Sequence, residues 1–239
     1  MQAYTVLLRY ELGQLARSWL VRIWIILLVA PALFLVVVTA NSEEQASEML
    51  AAYFTAGLVP ISALTVAFIS GSAIPADSAV AADSILSRSV TRSEYMAAKV
   101  TSRFGITLFV FGAVAVPFSY LILRYSAEVD TSFGGIVTGL SLMAFALVCL
   151  SALGIALSTV LHNSLISALI ALVALIVSGA ALQFLGLTWM STTALLDDLP
   201  ATFRGEIQMS NAIRMFLLFV SLAAGSVMVA ILVFRRSDL

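Results

Sequence analysis

One lysine, one histidine and one cysteine occur in these 239 residues, and each scarcity removes a class of chemistry. A phosphate-binding loop needs Gly-x-x-x-x-Gly-Lys-Ser/Thr, with the lysine reaching the phosphates. The single Lys99 stands in Met96-Ala97-Ala98-Lys99-Val100, without the glycines, so the chain holds no such loop. A lone His162 excludes paired-histidine zinc and haem sites, and Cys149 alone leaves a structural zinc site short of ligands. Cys149 has no partner for an internal disulfide, which leaves the redox compartment open. A Ser-His intramembrane protease lacks its nucleophile sequence, because Gly-x-Ser-Gly does not occur. No catalytic, metal or cofactor-binding residue is expected, and the chain reads as a non-enzyme.

Charge is scarce overall. Only 10% of residues are charged, against about 25% in soluble domains, while 62% are hydrophobic against about 45–50%. That balance is a polytopic membrane protein. A net charge of −1 points to no nucleic-acid partner, and what matters is the side of the membrane on which each charge lies.

What is present is six long apolar runs, near Leu20 to Ala40, Phe54 to Ile74, Phe104 to Leu123, Ile136 to Leu161, Ser164 to Leu187 and Ile213 to Phe234. Each is long enough for the roughly 20 helical residues that cross a hydrocarbon core. Their cores carry no Asp, Glu, Lys or Arg, and Arg22 and Arg214 sit at span ends, where long side chains reach the headgroups. Pro31, Pro60 and Pro117 lie inside spans, where a kink is tolerated. The expected fold is therefore an all-α polytopic bundle forming a single domain, residues 1 to 239.

Residues 3 to 19 read as an amphipathic elbow helix in the membrane interface. At about 100° per residue, Tyr4, Leu8, Leu12, Leu15 and Trp19 fall in one stripe about 80° wide, with Glu11 at its edge and Arg9 and Arg17 well away from it. Polar residues precede the first apolar run and no cleavage pattern follows it, so this reads as a retained segment.

Sorting the twelve Lys and Arg by connection gives the orientation. Arg9, Arg17, Arg22, Arg88, Arg92, Lys99, Arg103, Arg235 and Arg236 fall on one side, and Arg124, Arg204 and Arg214 on the other. The positive-inside rule places both termini and the segment Pro75 to Arg103 in the cytoplasm. On the opposite side, Asn41 to Tyr53 reads as a short acidic loop. Thr188 to Ala212 reads as a re-entrant loop of two short half-helices, broken by Pro200 and Gly205.

The segment Pro75 to Arg103 is the longest polar interval between apolar runs, and it holds Arg88, Arg92, Lys99 and Arg103. Asp77 or Ser78 can cap a short helix whose apolar side is Val80, Ile85 and Leu86. Ser87 to Ser89 interrupts it. Thr91-Arg92-Ser93-Glu94 then forms a Ser/Thr-x-x-Glu capping box, predicting a helix that runs through Tyr95, Met96 and Val100 into the third span.

Leu86-Ser87-Arg88-Ser89-Val90-Thr91-Arg92-Ser93-Glu94-Tyr95, followed by Lys99, resembles the signature after the second span of ABC-2 type permeases. The ending Phe234-Arg235-Arg236-Ser237-Asp238-Leu239 is similar to a tail common in that family. The layout also resembles six-span export permeases such as those of the nitrous-oxide-reductase-maturation type. Two departures stand out: Ser89 replaces a usual proline, and Asp83-Ser84-Ile85 replaces a Glu-x-Gly-Thr.

The resemblance implies the transmembrane subunit of an ABC transporter, an exporter of the cell (inner or plasma) membrane. It would pair with a second copy or a similar permease and bind two copies of a cytoplasmic ATPase, which would carry the ATP and Mg. Val80, Asp83, Ile85, Leu86, Arg88, Arg92 and Glu94 would form the ATPase-coupling interface. The basic residues also suit anchoring at anionic membrane lipid. Two other readings remain: an ion-coupled secondary transporter, and a membrane anchor that recruits a cytoplasmic complex without transport. The substrate path is not marked by any residue.

Overall fold

In the computed structural model, residues 2–74 and 91–236 are described. Those residues are helical nearly throughout. Among them no strand forms, and a single parallel bridge pairs Gln45 with Glu128. Six helices are long and apolar enough to cross a membrane, which marks a multi-pass membrane protein.

Helix α1 (Gln2–Arg17) ends at Ser18, whose extended backbone breaks the helix and whose Oγ accepts from Val21 N–H at 3.2 Å. That cap starts α2 (Trp19–Thr39). Trp19 therefore belongs to α2 and is exposed, outside the stripe assigned to α1 from sequence. The packed face of α1 is Tyr4, Leu7, Leu8, Glu11, Leu12 and Leu15, and Glu11, expected at its edge, is its most buried member.

Helix α3 (Ala46–Gly71) starts eight residues before the run read from sequence, so most of the expected loop Asn41 to Tyr53 is helical. Its N-terminal amides explain the shift. Asp130 accepts from Ser47 N–H at 2.9 Å and from the Ser47 hydroxyl, and Glu128 C=O accepts from Ala46 N–H at 3.1 Å. These partners lie some 80 residues away, beyond any local pattern. Within α3, Phe54–Leu58 form a π turn just before Pro60. In a regular helix the proline ring would crowd the Ala56 carbonyl; the widened turn makes room for it.

Helix α4 (Arg92–Tyr125) carries the expected capping box and runs unbroken into the third span, as the sequence predicted. Helix α5 (Phe133–Leu161) is the centre of the bundle. Of its apolar stretch 61% is buried, against 22% for α2 and α6 and 17% for the last helix. His162 closes α5 in the left-handed region (φ 51°), and Asn163 caps α6 (Ser164–Phe184) by accepting from Leu165 and Ile166 N–H, both at 3.1 Å. A two-residue turn thus joins two antiparallel spans.

After α6 come a 3₁₀ turn (Thr188–Met190) and two short helices, α7 (Thr192–Asp197) and α8 (Leu199–Arg204), then α9 (Met209–Arg236). The two short helices expected between residues 188 and 212 are therefore present. Helix α8 lies against the start of α5: the Phe203 ring packs on Gly139, and Phe203 C=O accepts from Ser132 N–H at 3.0 Å. Gly135 and Gly139 serve this contact within the chain.

The main core joins α2, α3, α4 and α5 around an aromatic group of Tyr53, Phe54, Phe111, Phe118 and Phe203. Three polar contacts cross between its helices, where no water competes for them. Tyr53 donates to Leu28 C=O at 2.9 Å, Trp24 Nε1 donates to Ser62 Oγ at 3.2 Å, and the Ser70 and Ser151 hydroxyls meet at 2.8 Å.

The second, fourth and sixth interhelical connections gather on one end of the bundle. Arg204 reaches the Ser47 hydroxyl at 3.3 Å and Asp130 at 3.9 Å there, joining the first turn of α3, the segment before α5 and the end of α8. The segment after α3 leaves from the opposite end, named the docking end after the ATPase contacts that the sequence leads one to expect there.

Candidate functional site at the docking end

Of the seven residues expected to contact an ATPase, Val80, Asp83, Ile85, Leu86 and Arg88 lie outside the described residues. Arg92 and Glu94 are described, and both sit in the first turn of α4. Glu94 has a local role: its carboxylate accepts from Thr91 N–H at 3.2 Å and from the Thr91 hydroxyl at 3.0 Å, while Thr91 Oγ1 accepts from Glu94 N–H at 3.2 Å. This reciprocal pair fixes where α4 begins. Thr91→Ala is expected to cost about 1 kcal/mol and to speed amide exchange over residues 92 to 96. Hydrogen exchange followed by mass spectrometry checks it; unchanged exchange there would show that the box is not holding the helix start.

The flanks of the segment are held together. Ala73 and Ile74 at its start, and Tyr95, Met96 and Val100 at its end, belong to one buried cluster with Ile155 and Ala156 of α5 and Ala230 and Phe234 of α9. Leu7 of α1 packs against the same cluster. The Tyr95 ring stacks on Phe234 with centroids 5.6 Å apart and planes at 15°, tying the first turns of α4 to the end of α9. Tyr95 has a second neighbour in Lys99, whose Nζ lies 5.3 Å from the ring centroid. Both flanks are thus packed together with α1, α5 and α9.

Lys99 and Arg103 were open to a reading as headgroup anchors, but they are buried. Both pair with Glu11 of α1: Lys99 Nζ lies 2.9 Å from Oε1, and Arg103 Nη1 donates to Oε2. Sequence periodicity alone passes over this group, since Glu11 sits nearly 90 residues from its partners. A signal exists nonetheless: two cations at i and i+4 on a helix entering an apolar run need an acid, and Glu11 interrupts an otherwise apolar stripe.

Two apolar grooves open on the sides of the bundle. One of about 750 Å³ runs between α4, α5 and α9, with Phe104, Phe145, Val148, Val227 and Ile231 in its walls. The other, about 460 Å³, lies between α3, α5, α6 and α7 beside Pro60, Met143, Leu172 and Thr193. No charged side chain lines either one.

Searches against protein-family models and against curated proteins return no match to this chain.

Proposed function

We propose that this chain is the transmembrane permease subunit of an ABC-2 type ABC transporter, working as an exporter and powered by a separate cytoplasmic ATPase. In this reading α1 is the interfacial elbow helix, both termini and residues 75 to 103 face the cytoplasm, and α7 and α8 form the re-entrant element on the far side. Two copies of the ATPase bind the segments of two permease chains.

One observation carries the reading. The two ends of the basic segment, Ile74 and Tyr95, are clamped into one cluster that also holds α5 and α9. A partner that grips residues 80 to 94 thereby gains purchase on most of the bundle. The sequence holds no phosphate-binding loop, which agrees with nucleotide hydrolysis by a separate subunit. The apolar walls of both grooves suit an apolar or lipid-like cargo.

Ion-coupled carriers usually place an ionisable group or an unwound polar segment in the transport path. Among the described residues the buried charged side chains are Glu11, Lys99 and Arg103, and the one carboxylate of the three is already matched by two cations. That group serves as a joint better than as an ion site. A plain membrane anchor would need the docking segment as well, and uptake by reconstituted vesicles separates it from a transporter.

Truncating Val80, Ile85 and Leu86 together to Ala is expected to release the ATPase while membrane insertion stays intact. The check is co-purification with a cytoplasmic ATPase, together with substrate-stimulated hydrolysis. Survival of both in the triple variant overturns the docking assignment.

A further inference from the structure

The group Glu11, Lys99 and Arg103 is unusual for where it lies. The three side chains are 2%, 1% and 4% exposed, and no other charged side chain among the described residues is buried. Lys99 and Arg103 are four apart on α4 and share a face. They take different oxygens of the same carboxylate: Lys99 meets Oε1 at 2.9 Å, while Arg103 donates to Oε2 and also to Ser102 Oγ at 3.0 Å.

Apolar residues of similar volume would hold two helices together equally well or better; what a buried ion group adds is register. Here register is doubly specified. Sliding α1 along α4 by one turn, about 5.4 Å, takes the carboxylate out of reach of one cation and leaves that charge buried without its acid. The remaining contacts of this interface tolerate such a slip better. They include Leu7 against the Tyr95, Met96 and Val100 cluster, a Tyr4 hydroxyl donating to Thr101 Oγ1 at 3.1 Å, and Leu12 lying over Gly105, where an added Cβ would still have 3.7 Å.

We propose that Glu11 is a positioning residue that locks α1 in register on α4, so that a displacement entering at the first turn of α4 carries α1 with it as one body. Lys99 and Arg103 lie two to three turns beyond Thr91, on the same unbroken helix that leaves the docking segment. The proposal rests on the permease reading only for the source of the displacement; the lock itself is a property of this chain.

The experiment uses the full chain in lipid nanodiscs, with hydrogen exchange measured over residues 2–17 and 92–103. Glu11→Gln is expected to speed exchange in α1 by at least about tenfold, as local release from α4 would, while the core of α5 keeps its protection. Glu11→Asp is expected to retain most of the protection. Exchanging the charges in Glu11→Arg with Arg103→Glu is expected to restore it. Should Glu11→Gln fail to insert, Arg103→Gln, which keeps the Lys99 pair, is expected to show a release of α1 in the same direction but smaller.

The second arm adds MgATP to the complex with the co-purifying ATPase. In the wild-type chain the two segments are expected to change exchange together, and in the releasing variant the 92–103 segment is expected to respond alone. Unchanged α1 exchange in both Glu11→Gln and Arg103→Gln, failure of the charge exchange to restore protection, or a wild-type α1 that ignores a response in α4 would each overturn the proposal. If no ATPase co-purifies, the permease reading fails, and the first arm still decides the lock.

Discussion

Gly135→Val is expected to unseat α8 from α5 and to cost at least about 3 kcal/mol, a fall of roughly 6 °C or more in the melting temperature of a chain this size. The reason is what surrounds the glycine. A Cβ there would meet Phe203 O, Thr202 O at 2.5 Å and Gly205 N at 2.8 Å, and all three are backbone atoms. No rotamer change relieves the clash. The backbone cannot yield cheaply either, because Ser132 N–H donates to that same Phe203 carbonyl, and Gly205 (φ 85°) holds the end of α8 against the Ser132 hydroxyl. Both ends of the contact are fixed. Thermal unfolding in detergent, read by intrinsic fluorescence, checks it. A melting point within about 2 °C of wild type would mean that α8 does not approach α5 this closely.

Phe203→Ala is expected to cost about 3–5 kcal/mol, because the ring is fully buried and its loss leaves a hole that packed helices fill only partly. The ring lies 5.6 Å from the Phe54 ring and rests on Gly139, where a Cβ would come within 2.7 Å of Cε1. Here the obstacle is a side chain, so the outcome differs from that at Gly135. Gly139→Leu alone is expected to destabilise by overpacking. Combined with Phe203→Ala, the leucine enters the vacated volume, and the pair is expected to recover about 1.5 kcal/mol or more of the summed costs. Strict additivity in the double variant would show that Phe203 and Gly139 do not share a site. Together the two experiments separate a backbone seam from a side-chain seam along the same face of α5.

Much of this architecture is legible without coordinates. A run of some twenty apolar residues has few alternatives to a helix in hydrocarbon, so the six spans follow from composition. The start of α4 is readable because a capping box is local: Thr91 and Glu94 are three residues apart and satisfy each other. Other features escape a sequence reading when their causes are distant in the chain. Helix α3 begins early because Asp130 and Glu128 receive its first amides. Glu11 looks like a flaw in an apolar stripe until α4 lies beside it with two cations. Gly135 and Gly139 have the spacing of a helix-packing motif, but spacing does not say whether the partner is another chain or, as here, a short helix of the same one. At the docking site the expected contact residues 80 to 88 fall outside the described residues, while the cluster that clamps their flanks is assembled from four separate helices.

The π turn at Phe54–Leu58 carries a consequence for how the second span presents its two halves. Five residues there occupy a turn that ordinarily holds fewer, so everything below it is rotated relative to an uninterrupted helix by about the 100° that one residue represents. Above the turn, the inward line is Ala46, Leu50, Tyr53 and Phe54, facing the aromatic core; below it, the line is Ser62, Val66, Ser70 and their neighbours, facing Trp24 and Ser151. One span thus keeps two phases, like a shaft with a keyed offset. Ser62 and Ser70 of its lower half stay aligned with Trp24 of α2 and Ser151 of α5 because the offset sits between them and the aromatic half.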